Sequence, residues 1–355
     1  METKFDKEKL AVFCQEILQA AGLAPEHAAR VAGNLVAAEL RGVRSHGLIQ
    51  VKNYVGGIKS GAINKNPQIK TLKEAPAAVL IDGDAAPGAV SGVYAMDKCI
   101  KKAKTTGMAG AAVVNGTHFG MAAYYAMRAL EHDMIGFAFC NARPRTAVHG
   151  GISRALGTNP ICAAIPAEQE PPVVFDAATS KTAYNKILYA LREGRGIEKG
   201  LALDAHGNDT DDPAAALQGA FFPFGGYKGS GLAVVVQILC SLLTGAACQL
   251  DEKTRGLQDD PDKIGFCFMA VDIAAFQPPE LFKKSVDLLA RRLKNSQKAN
   301  PQDAIYLPGE LEHITCAGQS AHGITLGESV AADLDALRQE LSLAGSVADC
   351  SVSAG

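Results

Sequence analysis

The chain is poor in the spacings that usually announce chemistry. None of its nine cysteines (Cys14, Cys99, Cys140, Cys162, Cys240, Cys248, Cys267, Cys316 and Cys350) belongs to a CxxC pair. Their odd number and apolar settings predict reduced, buried thiols, with neither a disulfide nor a metal site. No stretch approaches the roughly 20 apolar residues of a membrane span. The charged start METKFDKEKL has no apolar segment behind it, so a cytoplasmic chain with no membrane partner is expected. An excess of either charge is missing too: 35 basic side chains face 37 acidic ones, for a net charge of -2. They are spread along the chain, which argues against a nucleic-acid partner. No serine sits in a GxSxG elbow, and Ser45 merely adjoins His46, a poor arrangement for a Ser-His hydrolase. No strand-like run leads into GxGxxG with an acidic residue some twenty positions later, so the ordinary dinucleotide fingerprint is absent.

What is present is a chain of 355 residues, 48% hydrophobic, enough for one large α/β unit or two domains sharing an interface. Leu10, Phe13, Ile17, Leu18 and Ala21 fall on one helical face, with Asp6 able to cap the start and Gly22 the end. A second helix has Pro25 in its first turn, Val31, Leu35 and Ala38 as its buried stripe, and Gly42 as its stop. From residue 77 the pattern changes. Short β-rich runs at 77–82, 109–115 and 134–140 alternate with helical stretches at 89–105 and 120–132, which predicts a layered α/β sheet. VVFD (173–176) and IGFCFMAVD (264–272) read as further strands, 205–213 as a polar loop, Leu232 to Ala246 as a long apolar helix, and 278–295 as an amphipathic one. A last helix near 329–343 is expected to return to the N-terminal pair, ahead of a loose tail, SVADCSVSAG. The expected division is a helical segment, 1–75 joined by C-terminal helices in 276–345, and an α/β domain, 76–275, holding cofactor and substrate.

Several constellations admit both a chemical and a structural use. FGGYKGSG (224–231) lets backbone approach an anion, with Lys228 and Gly229 opening an apolar helix whose free N–H groups favour negative charge; it also suits an ordinary glycine-rich turn. His46, in RSHG, sits on a turn where an imidazole exchanges protons near neutral pH, or bonds the last helix carbonyls. His118, in NGTHFG, lies where a strand gives way to a helix, the edge at which α/β sheets form ligand crevices, or it caps structure there. Thr158 and Asn159 in GTNP, and Asp176 in FDAATS, suit turns as well as hydrogen bonds to a ribose or amide. Asp176 is also a candidate to orient an imidazole. Arg143 and Arg145, with His149 nearby, offer the fork that grips a carboxylate, or belong to a solvated loop.

Taken in order, RGVRSHGL (41–48), NGTHFGMAAYYA (115–126), GTNPICAAIP (157–166), FDAATS (175–180), FGGYKGSGLAVVVQILCSLLTGA (224–246) and PGE (308–310) resemble the type-2 malate/L-lactate dehydrogenase family. That family includes malate, lactate, sulfolactate and ureidoglycolate dehydrogenases, diketogulonate reductase and cyclic imino-acid reductases. The resemblance implies an oxidoreductase using NAD or NADP, a non-Rossmann layered α/β fold in keeping with the missing fingerprint, and a homodimer with sites near the subunit contact. It implies hydride transfer between the nicotinamide and C2 of a small 2-hydroxy or 2-oxo carboxylate. The alternative inside the family is reduction of a cyclic imino acid or a diketogulonate. From another class, FGGYKGSG also suits a phosphate-ligand hydrolase or transferase. Carried over by motif, His46 or His118 is the general acid/base. Asp176, Ala177, Ala178, Lys228, Gly229, Pro308, Gly309 and Glu310 fall on cofactor-binding stretches, and Ala142 stands where relatives often place a serine facing the cofactor. Ser45 helps position the acid. Gln50 stands where relatives often have arginine, so Arg143 or Arg145 replaces that cation or the substrate departs from simple malate or lactate.

Overall fold

The computed structural model describes residues 3–245 and 264–352. A short strand, β1 (Lys4–Phe5), leads into α1 (Lys7–Ala20), where the Asp6 carboxylate accepts the Lys9 N–H at 2.9 Å. Pro25, which needs no N–H partner, opens α2 (Pro25–Leu40). Two 3-10 turns, Arg44–His46 and Leu48–Gln50, join it to α3 (Val51–Ser60). Val51, Tyr54, Val55 and Ile58 form the buried stripe of α3, a helix whose signal Gly56 and Gly57 dilute in the sequence. The stripes of all three helices share one apolar core with Leu334 and Leu337 of the Glu328–Glu340 helix.

A second core lies beneath a seven-stranded sheet. Its strands are β2 (Lys70–Ala75), β3 (Ala78–Asp82), β4 (Met108–Gly116), β5 (Met134–Cys140), β6 (Ile161–Ile165), β7 (Val173–Ala177) and β10 (Ile264–Asp272). Their order is β2-β3-β4-β10-β5-β6-β7. Only β3 and β4 run parallel, bridged by the crossover helix α4 (Gly88–Thr106); every other adjacent pair is antiparallel. The architecture is therefore mixed α/β. Ile81, Val113, Met96, Phe266 and Phe268 fill the space between sheet and helix. β10 enters the middle of the sheet from far along the chain, pairing Phe266 with Val113 on one side and Cys140 on the other.

After β4 the chain turns through α5 (Ala123–Ala126) and a 3-10 segment, Met127–His132, so the helix expected over 120–132 divides in two. Beyond β7 come α6 (Tyr184–Arg192), the small β8–β9 hairpin (Ala202–Leu203 and Asp209–Thr210), α7 (Pro213–Gln218) and α8 (Tyr227–Gln237). The polar loop expected at 205–213 thus carries β9 and the start of α7. α8 begins five residues before the expected Leu232 and passes into a π turn at Ile238–Leu242; Ala246 lies outside the described residues. The expected loose tail is corrected. Ser346 and Asp349 make a capping box, Val347 and Cys350 plug the helical core, and Val352 bonds back to Lys4 of β1. β11 (Ile324–Thr325) pairs with β1 beside it.

The Pro279–Lys294 helix packs toward the sheet: Asp287 accepts the N–H groups of Glu168, Gln169 and Glu170 at 2.9 to 3.2 Å, and Lys283 reaches Asp133. Eight free cysteines are described, seven buried and Cys316 half-buried; Cys248 lies outside the described residues. No described helix is long and apolar enough to cross a membrane.

Candidate functional site

The turn carrying Ser45 and His46 is held from beneath by Glu39 in the last turn of α2. Its carboxylate is 3% exposed and accepts the Leu48 N–H at 2.8 Å. Gly47 lies so close to that carboxylate that an added Cβ would overlap it. Gln50 donates to the Ser45 carbonyl at 2.8 Å and accepts from Asn53 at 2.8 Å, while Asn185 of α6 donates to the same carbonyl at 3.1 Å. Gln50 is thus committed to bracing the turn. Burial pushes the Glu39 carboxyl up to about 7, against the lowering pull of the Leu48 N–H and the Arg44 charge. A carboxyl raised on folding stabilises fully below its unfolded value and loses that contribution as pH rises through the folded one. The difference amounts to roughly 3 kcal/mol. Glu39→Gln keeps the acceptor without the charge, so its Tm should exceed that of the parent at pH 8 but not at pH 5. Equal differences at both pH values would contradict this.

His118 stands across from this turn, in the loop between β4 and α5. Thr117 ties the loop to the Ala86 carbonyl at 2.8 Å. Gly88, the first residue of α4, packs against the His118 backbone so tightly that a Cβ would run into its carbonyl oxygen. The two imidazoles are nearly parallel, 14° apart, with centroids separated by 6.0 Å. Each has its own partner. The Ser45 hydroxyl lies 2.9 Å from His46 Nδ1, and the Tyr54 hydroxyl lies 3.1 Å from His118 Nδ1 and 3.2 Å from the His118 carbonyl. Tyr54 has one proton, and the carbonyl can only accept. With that proton on the carbonyl, His118 donates from Nδ1 to the phenol oxygen and leaves Nε2 as a free base.

His118 is exposed and His46 half-buried, so solvent reaches both imidazoles. Burial holds both below the usual imidazole range, and for His118 the neighbouring His46 adds to the effect, taking it to about 3. Water at the open edge restores part of the lost hydration, and both rings stay neutral at pH 7. Asp176, at the end of β7, accepts the Ala123 N–H at 2.8 Å. Among the described residues it bonds neither imidazole; Tyr54 and Ser45 hold the orienting positions that the sequence suggested for Asp176. Burial raises its carboxyl to about 6, with the Ala123 N–H and Arg41 pulling it down and Glu312 adding to the rise.

The remaining motif residues converge around the end of β7. Past Asp176, Ala177 and Ala178, Thr179 accepts the Phe224 N–H at 3.0 Å and so fastens the start of α8 to the strand. Gly226 caps that helix without a side-chain hydrogen bond, Gly229 packs on the Phe224 backbone, and Lys228 is exposed in the first turn. Free N–H groups and an exposed ammonium there suit a phosphate. Asn159 is fully buried at φ 32°, its amide spent on Ala142 N, Ala233 O and Gln237 Oε1. It braces the Ala142 loop against α8, and the Thr158 carbonyl accepts from Thr179. The Pro308 carbonyl accepts the Val174 N–H at 2.9 Å, laying Pro308, Gly309 and Glu310 along the edge of β7; the Glu310 carboxylate itself pairs with Lys294 at 2.6 Å. The Arg145 guanidinium lies 3.6 Å from the centroid of the Tyr184 ring, the residue before the Asn185 that holds Ser45. Arg143 is exposed in the same loop.

Tyr54, Glu39 and Gly88 escape the sequence reading. Tyr54 occupies a core position of an amphipathic stripe, and nothing in its spacing separates it from its apolar neighbours.

A profile of the family described as Malate/L-lactate dehydrogenase matches residues 5–335. The chain is 40% identical over 314 residues to the L-sulfolactate dehydrogenase of Methanocaldococcus jannaschii, covering 88% of this chain and 89% of that one. It is 36% identical over 347 residues to the malate dehydrogenase of Pyrococcus horikoshii, covering 96% of both. Among solved structures, the malate dehydrogenase of Entamoeba histolytica superimposes with a TM-score of 0.91 at 29% identity, over 97% of this chain and 99% of that one.

Proposed function

The chain belongs to the malate/L-lactate dehydrogenase family, and from that premise we propose that it interconverts a small 2-hydroxy acid and its 2-oxo acid with NAD or NADP. The observation that carries this reading is the pair of neutral imidazoles on one cleft wall, with Tyr54 setting the His118 tautomer. The relatives' names, malate and sulfolactate dehydrogenase, favour a CH–OH substrate over a ring imine and over phosphate-ligand hydrolysis or transfer.

A dinucleotide fits the residues present. Lys228, the bare first turn of α8 and the close backbone at Gly229 suit its phosphates; Asp176 to Ala178 and the Pro308–Glu310 edge lie along the same strand; Ala142, Thr158 and Asn159 shape the adjoining loop. When bound, it supplies the hydride acceptor or donor. This chain's own part is the proton and the positioning. His118 Nε2 takes the hydroxyl proton as C2 is oxidised and returns it on reduction. His46, fixed by Ser45, lines the same wall. Arg145 and Arg143 offer guanidinium groups to the carboxylate, and Gln50 keeps Ser45 in place.

The sheet, with its single parallel pair, supports a cofactor fold other than the doubly wound Rossmann type. The separate core of Leu10, Leu35, Leu334 and Leu337 supports a helical unit, 1–75 with C-terminal helices, beside an α/β unit, 76–275. A cytoplasmic homodimer completes the proposal, resting on family resemblance. The test is an assay of the purified chain with hydroxy acids, 2-oxo acids and cyclic imino acids, followed by reduced-cofactor absorbance with NADH and NADPH in parallel. Turnover is expected with 2-oxo acids. Turnover of imines alone, or none at all, would overturn the assignment.

A further inference from the structure

Arg41 follows the last residue of α2 and is only 9% exposed. Its Nε is buried without a hydrogen-bond partner, and among the described residues no carboxylate lies within ion-pair distance of its guanidinium. A buried cation left in this state opposes folding, because lost hydration is not repaid by a counter-ion. Its surroundings locate it. The charge of Arg41 acts on Asp176 and Cys162, which face each other across β7 and β6. Asp176 is exposed at the end of β7, where one of its oxygens is taken by the Ala123 N–H. Asp176 on β7 and Glu312 on the Glu310–His322 helix are the acidic groups facing this corner. Of these, Asp176 feels the Arg41 charge without an ion pair to it, which leaves the guanidinium fork uncommitted. Gln50, spent on Ser45 and Asn53, supplies no charge from the neighbouring turn.

We infer that Arg41 is the cation of an oxyanion-binding subsite at the Asp176 end of the cleft, taking the carboxylate of the acid or a phosphate of the dinucleotide. A planar fork with paired donors matches both groups, and a ligand oxyanion supplies the direct partner that the guanidinium lacks. The inference rests on the proposed dehydrogenase reading for the identity of the ligand. The presence of the subsite does not depend on it.

The test uses the full chain with Arg41→Gln and Arg41→Lys. First, Tm is followed with added malonate and with added pyrophosphate. The parent should be stabilised by at least one of them and Arg41→Gln by neither, with Arg41→Lys in between; equal shifts in the parent and Arg41→Gln would overturn the subsite. Second, NADH affinity by fluorescence and KM for the 2-oxo acid separate the sources. A tenfold or larger loss confined to NADH assigns the phosphate, and one confined to KM assigns the carboxylate. Both constants unchanged within twofold would also overturn it. If Arg41→Gln unfolds without ligand while Arg41→Lys retains every shift and constant, the role is structural and the subsite fails. Absence of both NADH and NADPH binding in the parent, with the malonate or pyrophosphate response intact, would instead sink the dehydrogenase reading and leave the subsite standing.

Discussion

An enzyme carrying His118→Asn is expected to lose turnover by about 10²- to 10⁴-fold, the usual worth of a positioned general base, with a smaller change in KM. The loss follows from the tautomer. Tyr54 ties the phenol oxygen to Nδ1 and its proton to the His118 carbonyl, so Nε2 is the nitrogen left with a lone pair. Asparagine leaves the carbonyl partner of Tyr54 in place and removes only the base. The direction of the pKa shift adds a second readout. An imidazole held below its ordinary value stays unprotonated as pH falls, so oxidation of the hydroxy acid should show no loss with a midpoint near 6.5 on the acid side. A parent profile that declines through 6.5 would contradict the lowered imidazoles of this wall, and an Asn variant with full kcat would pass the proton to His46 or to water.

Gly88→Ala should be nearly as damaging without touching a chemical group. The new methyl meets backbone, the His118 carbonyl and Phe119 Cα, rather than a side chain free to swing away. The loop must therefore move. Overpacking of this kind costs about 1–3 kcal/mol, and displacing a catalytic group by about 1 Å costs on the order of 10²-fold in rate. Gly56→Ala is the control: it lies in α3 with open space at its Cβ. It should keep full activity and gain about 0.5–1 kcal/mol of stability. Wild-type turnover in Gly88→Ala would mean that the imidazole position is not set by this contact.

Local pattern made much of this architecture legible. Pro25 and Asp6 mark helix starts by simple donor bookkeeping, and the runs at 77–82 and 134–140 became strands because their alternation suits a half-buried sheet. The placement of β10 between β4 and β5 was not legible, since antiparallel pairing across such a separation leaves no local trace. The site divides in the same way. His46 and His118 stood out as imidazoles at element ends, whereas their 6.0 Å juxtaposition depends on how Tyr54 of α3 meets the loop after β4. Asp176 looked like the partner of a histidine because carboxylates so often are; the backbone N–H of Ala123 claims it instead. Asn159 looked like a ligand contact and turned out to be occupied by Ala142 and α8. Arg41 and Glu39 read as ordinary helix-end charges until burial distinguished them.

His46 and Tyr54 belong to the segment packed in the helical core, and His118 to a loop anchored on the sheet core. The spacing of the rings is therefore a gauge of how those two halves are seated. A solvent or temperature that slackens only the seam would part the imidazoles while each half keeps its own packing. Inactivation and denaturation would then be separate events, with catalysis failing first.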